Sequence, residues 1–170
     1  MVTERKMDAT RLLAEDHRKV EELFEQFEKA SGDGRKEKIA RKICTELKVH
    51  TMIEEEIFYP ALRGKIDGDD LDEALVEHDG AKLLINDIEA GGPDEQFYEA
   101  KVKVLQEQVE HHVKEEEKQQ GNLFQQARAA DVDLEALGEQ MAARKAELKA
   151  EFEATGLPKP ELATMTETSV

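Results

Sequence analysis

Cysteine, tryptophan, proline and positive charge are all scarce in this chain. Cys44 is the one cysteine in 170 residues, which excludes a disulfide framework within the chain and any cysteine-rich zinc site. There is no Trp, and only two Tyr, six Phe and four Pro. Lys and Arg total 24 against 40 Asp and Glu, a formal charge of −16. Without a Lys/Arg cluster, no surface is set to displace counterions from a phosphate backbone or to hold an anionic lipid face, so neither a nucleic acid nor a membrane is an expected partner. No apolar run approaches the roughly 20 residues that span a bilayer. The amino terminus, Met1-Val2-Thr3-Glu4-Arg5-Lys6, has no apolar signal core, so the expected location is the cytoplasm. No glycine-rich phosphate loop is present either.

What remains is rich in Ala, Glu, Lys, Leu and Gln, with 39% hydrophobic and 38% charged residues, the composition of a helix bundle. The expected fold is all-α. A first helix runs from about Asp8 to Ala30 and stops at Ser31-Gly32-Asp33-Gly34. A second runs from about Arg35 to Arg63, with Pro60 kinking its last turns before Gly64. A third starts near Asp69-Asp70 and ends at Gly91-Gly92-Pro93. The fourth opens at Asp94 and reaches about Arg128, with a weak point at Gly121. Short joining loops favour an antiparallel up-down-up-down four-helix bundle over residues 1–130. Asp131 or Asp133 then starts a fifth helix within 131–154, whose stripe of Leu134, Leu137, Met141, Leu148 and Phe152 suits a bundle groove or another subunit. Residues 155–170 hold two prolines and no periodicity, and read as a flexible, disordered tail or an arm draped on the surface.

The core-facing stripes contain unusual members. The first helix reads Leu13, His17, Val20, Phe24, Phe27 and the second Ile43, Leu47, His50, Glu54, Ile57, Ala61. The third reads Leu71, Leu75, His78, Lys82, Ile85 and the fourth Val102, Leu105, Val109, His112, Glu116, which turns His111 outward. Four histidines and two glutamates thus sit inward near the middles of four helices. One buried histidine is ordinarily a hydrogen-bonded core residue. Six such groups unpaired cost about 2 kcal/mol each, about 12 kcal/mol together, comparable to a domain's whole stability of about 5–15 kcal/mol. They must satisfy one another as a polar network or hold a borderline divalent metal.

Spacing favours the metal. His50/Glu54 and His112/Glu116 are i,i+4 pairs, each aiming one nitrogen and one oxygen at the same point. Leu47-x-x-His50-x-x-x-Glu54 is repeated as Val109-x-x-His112-x-x-x-Glu116, while His17 and His78 come from the other two helices. Six ligands suit two metals, roughly 3.5–4 Å apart, better than one. A zincin's His-Glu-x-x-His is absent. The Glu-x-x-His of ferritin-like proteins is excluded by Ala14, Leu47, Leu75 and Val109 three residues before the inward histidines. Tyr59 and Tyr98 are candidates for redox or hydrogen-bonding partners near the metals, but at helix ends they read first as packing residues with a wet hydroxyl, and neither is taken as catalytic. Among Glu55, Glu56, Glu115 and Glu117, most are solvated and one is a candidate partner for an imidazole.

The pattern His17, His50-x-x-x-Glu54, His78, His112-x-x-x-Glu116, with the words Glu77-His78-Asp79 and Ile57-Phe58-Tyr59-Pro60, resembles the hemerythrin-like proteins, also called the HHE cation-binding domain. The resemblance implies a four-helix bundle around two iron ions, an oxo- or hydroxo-bridged non-haem di-iron centre. Glu54 and Glu116 would bridge, and the four histidines would be terminal ligands. Oxygen-carrying hemerythrins place a fifth histidine one turn after the third, where this chain has Lys82. That change opens a coordination position and argues against oxygen transport. Lys82 then hydrogen-bonds a bound oxygen species or a carboxylate, or packs its stem and snorkels. The expected function is reaction with a small oxidant, through hydrogen peroxide decomposition in a catalase-like activity or through O2 or NO binding, by a monomer or homodimer. The alternative is a non-enzymatic iron or oxygen sensor whose metal occupancy controls a partner, and a weaker one is a purely structural bundle. After Glu116, the stretch Glu117-Lys118-Gln119-Gln120-Gly121-Asn122 is long for the family and is a place for a bulge or break.

Overall fold

A computed structural model describes residues 7–166, all of whose regular secondary structure is helical. Asp8 caps α1 (Ala9–Lys29), its carboxylate accepting from the Arg11 amide at 3.1 Å. The turn after α1 passes through Gly32 at φ 92°, a conformation that favours glycine, and leads into α2 (Asp33–Ile53). Helix α4 (Gly68–Ala90) is capped by Asp67 rather than by Asp69 or Asp70. Helix α5 (Tyr98–Val113) begins four residues later than Asp94, because residues 93–97 form turns. These four helices form the bundle, with α1 against α2, α4 against α5, and α2 against α4. The amino-terminal stretch 1–6 and residues 167–170 lie outside the described residues.

Helices α2 and α5 are interrupted at the site itself, by π turns that contain Glu54 and Glu116. After α2 the chain widens into a π turn, Glu54–Phe58, before the short α3 (Tyr59–Leu62). Pro60 supplies the reason, since it has no N–H and its ring crowds the carbonyl four residues back. The extra residue shifts the inward face. Ile57 and Ala61, expected in the core, are half-buried, and Phe58, Tyr59 and Leu62 are buried in their place. After α5 a second π turn, Lys114–Lys118, gives way to extended Gln119 and to Gly121 at φ 72°. The expected continuous helix to Arg128 therefore breaks. Asn122 caps a separate α6 (Leu123–Ala129), accepting from the Gln125 amide at 2.9 Å, and this return lays Phe124 over the bundle core.

Helix α7 (Leu134–Thr155), capped by Asp133, lies along α1 and α2 of the same chain. Leu137, Met141 and Leu148 are buried there, whereas Phe152 is 44% exposed. Its close approach needs Gly138: a Cβ at that position would lie 2.5 Å from the Met7 carbonyl oxygen and 2.9 Å from the Ala9 nitrogen. Beyond Gly156 the chain runs without regular secondary structure through residue 166 and is tied to α4 near its end, so the described part of the tail is an arm held on the surface. Cys44 packs in the core, where burial pushes its thiol up to about 12.

Two apolar clusters make up that core. One contains Leu13, Ile53, Phe58, Leu71, Phe124, Met141 and Leu148, the other Val20, Phe24, Ile43, Ile85, Tyr98 and Leu105. Between them lies a layer of buried polar side chains. Helices α1, α2 and α4 contribute to both clusters, and α5 to the second, so the layer's side chains are held by rigid elements.

Candidate metal centre

All six predicted donors meet in this layer. His17, His50, Glu54, His78, His112 and Glu116 are each at most 9% exposed. His17 Nε2 lies 3.2 Å from His50 Nε2 and 3.4 Å from Glu116 Oε2. Across the layer His78 Nε2 lies 3.3 Å from His112 Nε2 and 3.5 Å from Glu54 Oε1, and His112 Nε2 lies 2.8 Å from Glu116 Oε1. The donors fall into two sets, Glu54/His78/His112/Glu116 and His17/His50/Glu116, with atoms in each set within 4.8 Å of one another. Glu116 belongs to both.

Donor atoms in this layer face a shared space. His50 Nε2 meets Glu54 Oε1 at 2.6 Å, whereas Glu54 Oε2 and Glu116 Oε2 are buried with no hydrogen bond. Buried carboxylate oxygens are rarely left so. Hard oxygen and borderline imidazole donors converging in this way fit a transition-metal cation or a pair of them.

The outer nitrogens orient the inner ones. His50 Nδ1 is 3.2 Å from Asp16, His78 Nδ1 is 2.9 Å from Glu55, and His112 Nδ1 is 2.8 Å from Glu77. A carboxylate can only accept, so each contact places a ring proton on Nδ1 and holds the ring with Nε2 facing inward. These partners cross between helices: Asp16 of α1 serves the α2 histidine, and Glu77 of α4 serves the α5 histidine. Lys145 of α7 pairs with Asp16, so the added helix supports the layer from outside. Although burial works against its charge, the contacts to His50 and Lys145 hold the Asp16 carboxyl down at about 2.

Electrostatics differ between the imidazoles. Burial would push His50 down, but Glu54 and Asp16 beside it lift it to about 10. His17 is lowered, by burial and by the neighbouring His50 charge. Burial opposes the charge of Glu116, and His112 beside it nevertheless holds that carboxyl well below its usual range.

Of the two tyrosines weighed as hydrogen-bonding partners, Tyr59 stands in the layer rather than in a packing role alone. Its hydroxyl donates to Glu116 and lies 3.3 Å from His78 Nε2 and 3.4 Å from His112 Nε2, inside the donor layer. Burial and the two glutamates raise its phenol well above the usual value, so it stays protonated. Asp16 and Glu77 were missed, and their signal was an acid placed immediately before His17 and before His78. Of the flanking acids, Glu55 is the one that touches an inward imidazole through a hydrogen bond. His111 faces outward, 60% exposed, between Glu77 and Glu115. Tyr98 lies in the other apolar cluster, away from the layer. Lys82 is buried, and its amine meets Glu55 at 2.8 Å and Asp79 at 3.4 Å.

Two openings reach the layer. An apolar void of about 40 Å3, walled by Val20, Leu47, Ala81, Val109 and Val113, adjoins the four imidazoles. On the other side a polar cleft of about 60 Å3 runs past Glu73, Glu77 and Glu115 to His112 and Glu116. Phe124 stacks on His17, with ring centroids 5.9 Å apart, and closes the layer towards α6.

The family model of the hemerythrin HHE cation binding domain matches residues 8–124, more than half the chain and every residue of the donor layer. The chain belongs to the hemerythrin HHE family. Membership brings with it the binding of a metal cation, and the layer contains His/Glu clusters whose chemistry fits one. A solved hemerythrin HHE cation binding domain-containing protein from Mycobacterium kansasii shares the fold, with a TM-score of 0.73 and 24% identity over 88% of this chain and 94% of that one. A curated relative named DNA nickase, from Nostoc sp. (strain PCC 7120), is 29% identical over 102 residues, 60% of this chain. This hemerythrin HHE chain spans 29% of that relative's length, so the relative's activity is no statement about it. Among the described residues, no helix is long and apolar enough to cross a membrane.

Proposed function

We propose that this hemerythrin HHE protein holds two iron ions and reacts with small oxidants, decomposing hydrogen peroxide or binding O2 or NO. The observation that carries this reading is the pair of donor sets sharing Glu116, each with two imidazoles. His17 and His50 would serve one ion, His78 and His112 the other, with Glu54 and Glu116 between them. Bound irons would supply the one-electron changes that side chains cannot. The residues around them do the rest. Asp16, Glu55 and Glu77 fix the ring orientations. Val20, Leu47, Ala81, Val109 and Val113 wall a void of about 40 Å3, which admits only a few atoms and keeps bulk water away. The Tyr59 hydroxyl is a donor already pointed at the layer, and the cleft past Glu73 and Glu115 offers solvent access for a polar reactant such as peroxide. Lys82 acts at one remove, through Glu55.

Iron-loaded protein given hydrogen peroxide should evolve oxygen, followed with an oxygen electrode. His112→Ala, with its helical circular dichroism retained, should abolish the turnover. Undiminished gas evolution in that variant would contradict the peroxide reading. A sensor that only binds O2 or NO would show spectral changes with these gases and no turnover.

A further inference from the structure

At position 82 the lysine amine turns away from the donor layer and towards the carboxy-terminal arm. Lys82 Nζ donates to the Glu161 carbonyl at 2.9 Å and to Glu55 at 2.8 Å, and Glu55 Oε1 in turn accepts from His78 Nδ1 at 2.9 Å. Asp79, fully buried beside His78, receives the arm's amides: Ala163 at 2.8 Å, Thr164 at 2.7 Å and Met165 at 2.9 Å, with the Thr164 hydroxyl at 2.7 Å. An irregular segment with little apolar burial of its own is thus fixed by four hydrogen bonds on one carboxylate and by one lysine. Both anchors are one turn or less from the same imidazole. Between the arm and α2 lies a cleft of about 240 Å3, bordered by Met52, Glu55, Lys82 and Pro160, which the arm roofs.

We infer that residues 156–166 form a strap that positions the His78 ring through Lys82 and Glu55, and so sets how firmly the His78 side of the layer retains a cation. Docking of the arm gives the Lys82 amine a backbone acceptor and holds it against Glu55. Glu55 so held keeps the His78 proton on Nδ1 and its Nε2 lone pair inward. A loose arm lets the amine, the carboxylate and the ring reorient together. Lys82, Asp79 and the arm are positioning groups, since none of them touches the shared space. The inference rests on the metal-centre reading for its second half only; the ring's orientation can be read without metal.

The test uses the full chain and Thr164→Pro, an exposed arm position where proline removes two of the four hydrogen bonds on Asp79 without touching the bundle. Nitrogen-15 spectra of the metal-free protein report the His78 tautomer, and iron-loaded protein mixed with excess ferrous chelator reports release. In Thr164→Pro the two His78 nitrogen signals should move towards each other while those of His17 and His50 stay put. Iron release should be about 10-fold faster, the size usual for losing a partner of a metal ligand. Lys82→Met should behave like Thr164→Pro, and Lys82→Arg, which still reaches both oxygens, should restore the wild-type rate. Wild-type His78 signals and release in a Thr164→Pro chain whose arm amides exchange freely would overturn the inference. So would equal changes at all four inward histidines, which mean general loosening. A wild-type chain that takes up no iron overturns the metal-centre reading and the retention half with it, and the imidazole spectra distinguish that failure from the strap's own.

Discussion

Removing the cation from the donor layer should lower the melting temperature by an amount the layer itself bounds. Glu54 Oε2 and Glu116 Oε2 are buried without a hydrogen bond. Each such atom costs about 1–3 kcal/mol, so together they withhold about 2–6 kcal/mol that a bound cation can return. That is comparable to the about 5–15 kcal/mol that holds a domain together. Free metal at 100 to 1,000 times its dissociation constant stabilises the folded chain by about 2.7–4.1 kcal/mol. At about 2–4 °C per kcal/mol for a chain of this size, loading should raise the melting temperature by about 5–16 °C. The assay is a thermal melt followed by circular dichroism, on protein first stripped with chelator and then reloaded anaerobically with ferrous iron. His112→Ala, which removes one donor from a shared set, should lose most of the rise. Superimposable melts of stripped and loaded wild-type protein would refute the reasoning, because the orphaned oxygens would then be satisfied by something other than a cation.

Three further outcomes follow from particular contacts. Tyr59→Phe deletes a buried donor to an ionised carboxylate and should cost the metal-free protein about 1.5–3 kcal/mol in urea unfolding, with unchanged stability contradicting the placement of that hydroxyl in the layer. Gly138→Ala puts a methyl group against the backbone of residues 7–9 and should destabilise by about 1–3 kcal/mol, whereas a neutral effect would mean that α7 does not seat closely on the start of α1. Asp8→Ala removes the α1 cap at a cost of about 1 kcal/mol near neutral pH. Burial works against the Asp8 charge, but hydrogen bonds from Thr10 and Arg11 hold its carboxyl below 3.8, so the cap's contribution is present above that value and fades as pH falls below it. The wild-type advantage over Asp8→Ala should shrink in that acidic window, and an advantage that grew there would reverse the sign of the argument.

Helical periodicity carried the six candidate positions because α1, α2, α4 and α5 are regular as far as the histidines, and Glu54 and Glu116 fall within the first three residues of the π turns that follow. Four histidines and two glutamates on stepped apolar stripes could be read inward with no knowledge of the packing. Legibility failed where the helices stop being regular. Five residues beyond Glu54, a regular helix turns a side chain about 140° away from it, so Tyr59 reads as facing elsewhere. The π turn ahead of Pro60 adds a residue and swings the phenol back to the layer. The same displacement replaced Ile57 and Ala61 with Phe58 and Leu62 in the core. The acids Asp16 and Glu77 stand beside His17 and His78 in the sequence, but each serves a histidine on a neighbouring helix, and the pairing of helices is a property of packing rather than of spacing along one. The arm was undecided because its anchor, Asp79, accepts from backbone amides, a contact that no residue type in the arm announces.

The central claim is that the six-residue layer is a centre for two iron ions. Elemental analysis of the full chain after anaerobic loading and removal of free metal measures it most directly. Two irons per chain, falling to one or fewer in Glu116→Ala because that carboxylate belongs to both donor sets, is the result the account predicts. A chain that remains metal-free after loading, with His112→Ala and Glu116→Ala indistinguishable from the wild type, would contradict it and leave a bundle with a buried polar network.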